Sequence, residues 1–144
     1  MQSAPTLLTR IAVAKMVGLM IGLTGFLLLP LIVPDAPSAA RWGVLLWYPT
    51  MGVVIAMLEV LDTKGHLPWH VPWWARGAIV GAWFNFLSVM VGGEFMETFM
   101  ENLLGVDGPA AIAYLFVPEG AVAGMIIAYL VMRFGGDGRA VGDD

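Results

Sequence analysis

Four glutamates lie between two strongly apolar runs of the sequence, where ionised carboxylates are costly. The stretch GGEFMETFMENLLGVDGPAAIAYLFVPEG (Gly92–Gly120) contains Glu94, Glu97, Glu101 and Glu119. Carboxylates that come close together repel, so some of them take up protons or a bound cation neutralises them. Ligand sets made only of oxygen suit hard cations such as Ca²⁺, Mg²⁺ or Na⁺. The pattern predicts a cation or proton site, with Glu94, Glu97 and Glu119 as candidate metal ligands.

Three further polar residues extend this candidate site into the other apolar runs. Thr50 and Asn85 are the polar residues nearest the middle of two runs, and Glu59 lies near the end of one. Each side chain either bonds a neighbouring helix or lines a polar route towards the glutamates. For Glu59, a solvated or salt-bridged helix end is the favoured interpretation over a second gate.

The composition classifies the chain as an integral membrane protein. Its 144 residues are 59% hydrophobic and 12% charged, whereas a soluble domain carries about 25% charged residues. The absence of cysteine excludes thiolate chemistry, and a net charge of −4 argues against a nucleic-acid partner. The sequence contains no catalytic triad, phosphate-binding loop or dinucleotide fingerprint. We therefore expect a protein that is not an enzyme, with a bound hard cation as the one cofactor that the pattern suggests.

Four apolar segments are long enough to cross a bilayer, for which a helix needs about 20 residues. They are residues 11–33, 42–61, 75–104 and 110–134. The sequence predicts one all-α membrane domain over residues 1–144 with four transmembrane helices, followed by a flexible tail at residues 135–144.

Basic residues are unevenly distributed over the predicted loops. If both termini are cytoplasmic, six of the seven basic residues lie on the inner side and only Arg41 lies outside. The six are Arg10, Lys15, Lys64, Arg76, Arg133 and Arg139. This bias follows the positive-inside rule, so we expect cytoplasmic N- and C-termini and residence in a plasma membrane such as the bacterial inner membrane.

The third and fourth spans are predicted to form a long antiparallel hairpin around the sequence GVDGP. Gly105 is expected to cap the third helix and Pro109 to begin the fourth. With a turn centred near Asp107, Glu119 would come level with Glu94 and Glu97.

Two alternatives would separate these acids. In the first, residues 94–104 form an amphipathic helix at the headgroup level, with their carboxylates in water. In the second, the last helix begins at Pro118, which would make Glu119 an ordinary interfacial residue near a helix N-terminus.

Small residues recur at four-residue spacing in three of the spans. They are Gly18 and Gly22, Gly77 and Gly81, and Gly120, Gly124 and Ala128. Such faces let helix backbones approach closely, either within one chain or between chains. Because four spans leave little interior room for a pathway, transport would require several subunits.

These observations favour a small oligomeric membrane transport protein or channel for cations or protons, with an acidic outward-facing site. The alternative is a non-catalytic accessory subunit of a larger membrane complex. The expected partners are the lipid bilayer and either copies of the chain or other membrane subunits.

Overall fold

The structure, a computed structural model, describes residues 7–63 and 71–135. Lys64 and Arg139, which contribute to the predicted charge bias, lie outside the described residues. Residues 136–144 of the predicted tail also lie outside them.

The described residues form four α-helices. They are α1 (Leu7–Ile32), α2 (Ser38–Thr63), α3 (Trp73–Leu104) and α4 (Pro109–Gly135). Each helix is long and apolar enough to cross a membrane. The prediction of an all-α protein with four membrane-length helices is confirmed, and it supports an integral membrane protein in contact with lipid.

Glycines bring α3 and α4 into backbone contact. A Cβ atom on Gly81 would overlap the carbonyl oxygen of Gly120, and one on Gly77 would meet the carbonyl oxygen of Gly124. Only hydrogen fits between the two backbones at these positions. The small-residue faces of α3 and α4 therefore join helices of the same chain, one of the two possibilities that the sequence left open.

The other pair of helices, α1 and α2, is joined in the same way. A Cβ atom on Gly18 would overlap the carbonyl oxygen of Tyr48, and one on Gly52 would meet that of Ala14. Next to these contacts lies the main buried core, to which α1, α2, α3 and α4 all contribute. Its members are Ala14, Met51, Ile55, Ala56, Val80, Ile127, Ala128 and Val131.

A kink at Gly93 divides α3 into two segments. Gly93 has φ 44° and ψ −130°, a conformation that is open to glycine because it lacks a Cβ atom. In the segment after the kink, Met96 and Met100 are buried, whereas Glu94 and Glu97 are exposed. This segment is therefore amphipathic, as the first of the two alternatives proposed.

The turn between α3 and α4 has the predicted chemistry. Gly105 adopts a left-handed conformation with φ 67°, and its N–H donates to the carbonyl of Glu101 at 2.8 Å. Helix α4 begins at Pro109 and continues through Pro118. The predicted cap and start are confirmed, and the alternative start at Pro118 is wrong.

Candidate functional site

Glu119 lies deep within a membrane-length helix. It follows Pro109, the first residue of α4, by ten residues and precedes Gly135, the last, by sixteen. At 1.5 Å per residue these separations are about 15 and 24 Å. Since the hydrocarbon core of a bilayer is about 30 Å thick, Glu119 lies far from both ends of the helix.

Two side chains from other helices donate hydrogen bonds to the Glu119 carboxylate. Asn85 Nδ2, on α3, donates to Glu119 Oε2 at 2.5 Å. Tyr48 Oη, on α2, donates to Glu119 Oε1 at 3.4 Å, which is long for a bond from a hydroxyl. We call Tyr48, Asn85 and Glu119 the carboxylate site. It links three helices at one level.

The Asn85 amide is the buried member of the carboxylate site. Its side chain is 0% exposed, and Nδ2 also donates to the carbonyl of Phe116 at 3.0 Å. Oδ1 is buried and has no hydrogen-bond partner. A buried acceptor without a donor is unfavourable, so this oxygen can accept a further hydrogen bond.

The structure places Glu119 on a different level of α3 from the one predicted. Its partner Asn85 precedes Glu94 by nine residues and Glu97 by twelve, which is about 14–18 Å along a straight helix. The close glycine contacts fix the register of α3 against α4, and the kink at Gly93 interrupts the straight helix that the prediction assumed.

The predicted group of three glutamates is not assembled. Glu94 and Glu97 are exposed on the segment after the kink. Among the described residues, no three His, Cys, Asp or Glu side chains lie close enough to hold a metal ion. Of the three predicted metal ligands, only Glu119 belongs to the carboxylate site.

Of the polar residues predicted to line a route to the glutamates, only some lie near Glu119. Asn85 joins Glu119 directly. Thr50 is exposed, and its hydroxyl donates at 2.8 Å to the carbonyl of Leu46 on its own helix. The structure therefore does not bring Thr50 to the carboxylate.

Glu59 is buried, which differs from a solvated helix end, one of the two forms, solvated or salt-bridged, that the sequence favoured. Its side chain is 1% exposed, and neither carboxylate oxygen has a hydrogen-bond partner. Arg76 and Arg10 are the positive charges that act on it. Arg10 is 5% exposed and lies against Gly135 at the end of α4. We call Arg10, Glu59 and Arg76 the inner charge cluster, after the side of the membrane on which the sequence predicts their helix ends to lie.

An apolar cleft of about 560 Å³ lies on the other side of the core from the inner charge cluster. Its walls come from α1, α2 and α3, and α4 contributes Phe116. The lining residues nearest the core are Ile21 on α1, Tyr48 on α2 and Ser88 on α3. Tyr48 thus belongs both to the cleft and to the carboxylate site.

Comparison with family models, with curated proteins and with solved structures finds no match to this chain. Function is therefore inferred from the geometry of the carboxylate site and its surroundings.

Tyr48 is the site residue that the sequence prediction missed. One signal was available, because a tyrosine inside an apolar span needs a partner for its hydroxyl. Its partner Glu119 is 71 residues away, and no local spacing connects the two. In the sequence Arg10 and Arg76 contribute to the positive-inside bias, and in the structure they also act on Glu59.

Proposed function

We propose that this chain is a small membrane transport protein that moves protons, with Glu119 as the group that carries them. The observation that carries the proposal is the Glu119 carboxylate, deep in a membrane-length helix and bonded by Asn85 and Tyr48. Ionisable groups at such depth are costly and rare, and they mark ion pathways and proton relays.

A proton fits this arrangement better than a divalent cation. Ca²⁺ takes six to eight oxygen ligands and Mg²⁺ an octahedral set, whereas the carboxylate site contains one carboxylate. Two hydrogen-bond donors suit its ionised form. A protonated Glu119 could instead donate to the Tyr48 hydroxyl, which accepts as well as donates, so the site serves both forms of the carboxyl group.

Proton flux into liposomes tests this proposal. The purified chain is reconstituted with a pH-sensitive dye inside, and a potassium diffusion potential drives proton uptake. Glu119→Gln keeps the size of the side chain and removes the group that takes up a proton. We expect its flux to fall to that of protein-free liposomes.

Glu101→Gln is the matched control, because Glu101 is exposed on the segment after the kink and belongs to no part of the carboxylate site. We expect it to retain the wild-type flux. Unchanged flux in Glu119→Gln, or equal losses in the two variants, would contradict the assignment of Glu119.

The oligomeric state follows from the same carboxylate. Glu119 is exposed at the surface of the single chain, although it lies far from the ends of α4. A charge at that depth is stabilised when protein or water covers it. We therefore propose a homo-oligomer in which a second copy covers this surface, so the chain purified alone should have a defined multiple of its monomer mass.

Orientation and location complete the proposal. The positive-inside bias favours cytoplasmic termini and the bacterial inner membrane, with the connection between α3 and α4 outside. The exposed Glu94 and Glu97 then form an acidic surface on the outer side that attracts cations. The alternative function, an accessory subunit of a larger membrane complex, predicts that the chain alone gives no proton flux.

A further inference from the structure

We propose that the apolar cleft binds a lipophilic organic cation, which Glu119 attracts from behind the Tyr48 hydroxyl. This inference rests on the proposed function only in using the same carboxylate. It adds a second species that competes with the proton for that charge.

The size and walls of the cleft fit an apolar molecule rather than a hydrated ion. Its volume of about 560 Å³ lies within the range of roughly 300–1,000 Å³ found for small-molecule sites. The aromatic lining residues are Trp47, Tyr48, Phe95, Phe99 and Phe116. Aromatic faces attract cations, and they do so more strongly where water is excluded.

The charged group bonded to a cleft-lining side chain is negative, whereas Arg41, next to the lining residue Ala40, stacks on the Phe26 ring at 4.5 Å. Within the described parts of the chain, no charged side chain lines the cleft. Tyr48 connects it to Glu119 through its hydroxyl. A monovalent cation with an apolar body therefore finds both a matching wall and a negative charge, whereas an anion of the same shape would be repelled.

The cleft is closed on one side by the core. Ile21, Tyr48 and Ser88 lie at the end of the cleft nearest the core, which continues with Met51 and Ile55. A bound cation would thus be held near Glu119 without a continuous passage through the bundle. A cation held in the cleft and a proton on Glu119 therefore compete for the same negative charge.

Gly43 offers a way to fill the cleft without disturbing the fold. It lines the cleft, and a Cβ atom added there meets no atom within 4 Å. Gly43→Phe and the smaller Gly43→Leu should therefore occupy space that the ligand needs. Leu46→Phe is the matched control, because Leu46 is 61% exposed on the same helix and does not line the cleft.

Equilibrium dialysis of the full chain in nanodiscs, measured against empty nanodiscs, provides the test. The probes are tetraphenylphosphonium and tetraphenylborate, which share a shape and carry opposite charges. We expect saturable binding of the cation only. Gly43→Phe, Gly43→Leu and Glu119→Gln should each weaken it by roughly tenfold or more, the loss expected for a charge-complementary partner in a dehydrated site. Leu46→Phe should bind like the wild type.

Several outcomes would overturn the inference. Equal binding of both probes would assign the cleft to lipid chains. Absence of saturable binding, or wild-type binding by both Gly43 variants, would also contradict the inference. If proton flux depends on Glu119 while these outcomes occur, the cleft inference fails and the proposed function stands. If cation binding depends on Gly43 and Glu119 while proton flux ignores Glu119, the proposed function fails and the cleft inference stands.

Discussion

Asn85 determines how Glu119 is held, because it is the fully buried donor between α3 and α4. Interhelical hydrogen bonds in membranes contribute only about 0.6 kcal/mol on average. An asparagine at this position therefore adds little to stability and leaves one buried oxygen without a donor. The proposed role in holding Glu119 accounts for such a residue.

Replacing Asn85 and Tyr48 separately should rank their contributions. Asn85→Leu keeps the approximate shape of the side chain and removes the 2.5 Å bond to Glu119 and the 3.0 Å bond to the Phe116 carbonyl, whereas Tyr48→Phe removes only the 3.4 Å bond. We expect a larger loss of proton flux in Asn85→Leu, with a change in unfolding free energy of about 1 kcal/mol or less. Flux assays and thermal unfolding measure the two effects. Equal flux in Asn85→Leu and the wild type would exclude a role for the amide.

Glu59 presents the opposite case, in which burial and opposite charges indicate a structural role. Its Glu59→Gln variant would leave Arg10 and Arg76 without the charge that acts on them, at a position that is 1% exposed. Because neither Glu59 oxygen makes a hydrogen bond, we expect a cost below the roughly 3–5 kcal/mol for breaking a bonded buried ion pair. We expect Glu59→Gln to have a clearly lower thermal stability in detergent, whereas the control Glu101→Gln should change little. If Glu59→Gln unfolds like the wild type, the inner charge cluster does not stabilise the fold.

At the scale of the helices, the backbone contact between α3 and α4 sets the level of Glu119. Gly81→Ala would place a Cβ atom against the Gly120 carbonyl, and neither backbone can move away without shifting the other. Overpacking of this kind costs about 1–3 kcal/mol. We expect lower thermal stability and reduced proton flux, because the shift moves Asn85 relative to Glu119.

Gly43→Ala is the matched control for that variant, since its Cβ atom meets nothing within 4 Å. Both changes add one methyl group to a helical glycine, so intrinsic helix preference affects them alike. A Gly81→Ala protein as stable as Gly43→Ala would show that the helices separate freely at this contact.

The helices were predictable from sequence, but their register was not. Apolar length identifies four spans, and Gly105 with Pro109 identifies the turn, because these signals are local. The level of Glu119 depends on Gly81 meeting Gly120 and on the positive φ of Gly93. The adjacent glycines at 92 and 93 indicate a possible break in the helix, but only the structure shows that the kink lies at Gly93.

For the whole molecule, the two ends of the bundle differ. On one side of the core, Arg10, Glu59 and Arg76 form the inner charge cluster. On the other side the helices leave the apolar cleft, with Glu119 beside its deepest part. The proposed orientation places the cleft towards the outer side, so a cation arriving from outside would reach Glu119 before the buried Glu59.

Single cysteines test that orientation in a chain that contains no native cysteine. Asp107→Cys lies in the connection between α3 and α4, and Phe134→Cys lies near the end of α4. Both positions are exposed, and neither change removes a basic residue that sets the orientation. In intact bacterial cells, a membrane-impermeant maleimide should label Asp107→Cys and should reach Phe134→Cys only after permeabilisation. The reverse labelling pattern would indicate the opposite orientation in the membrane, in which the cleft would bind its cation from the cytoplasmic side.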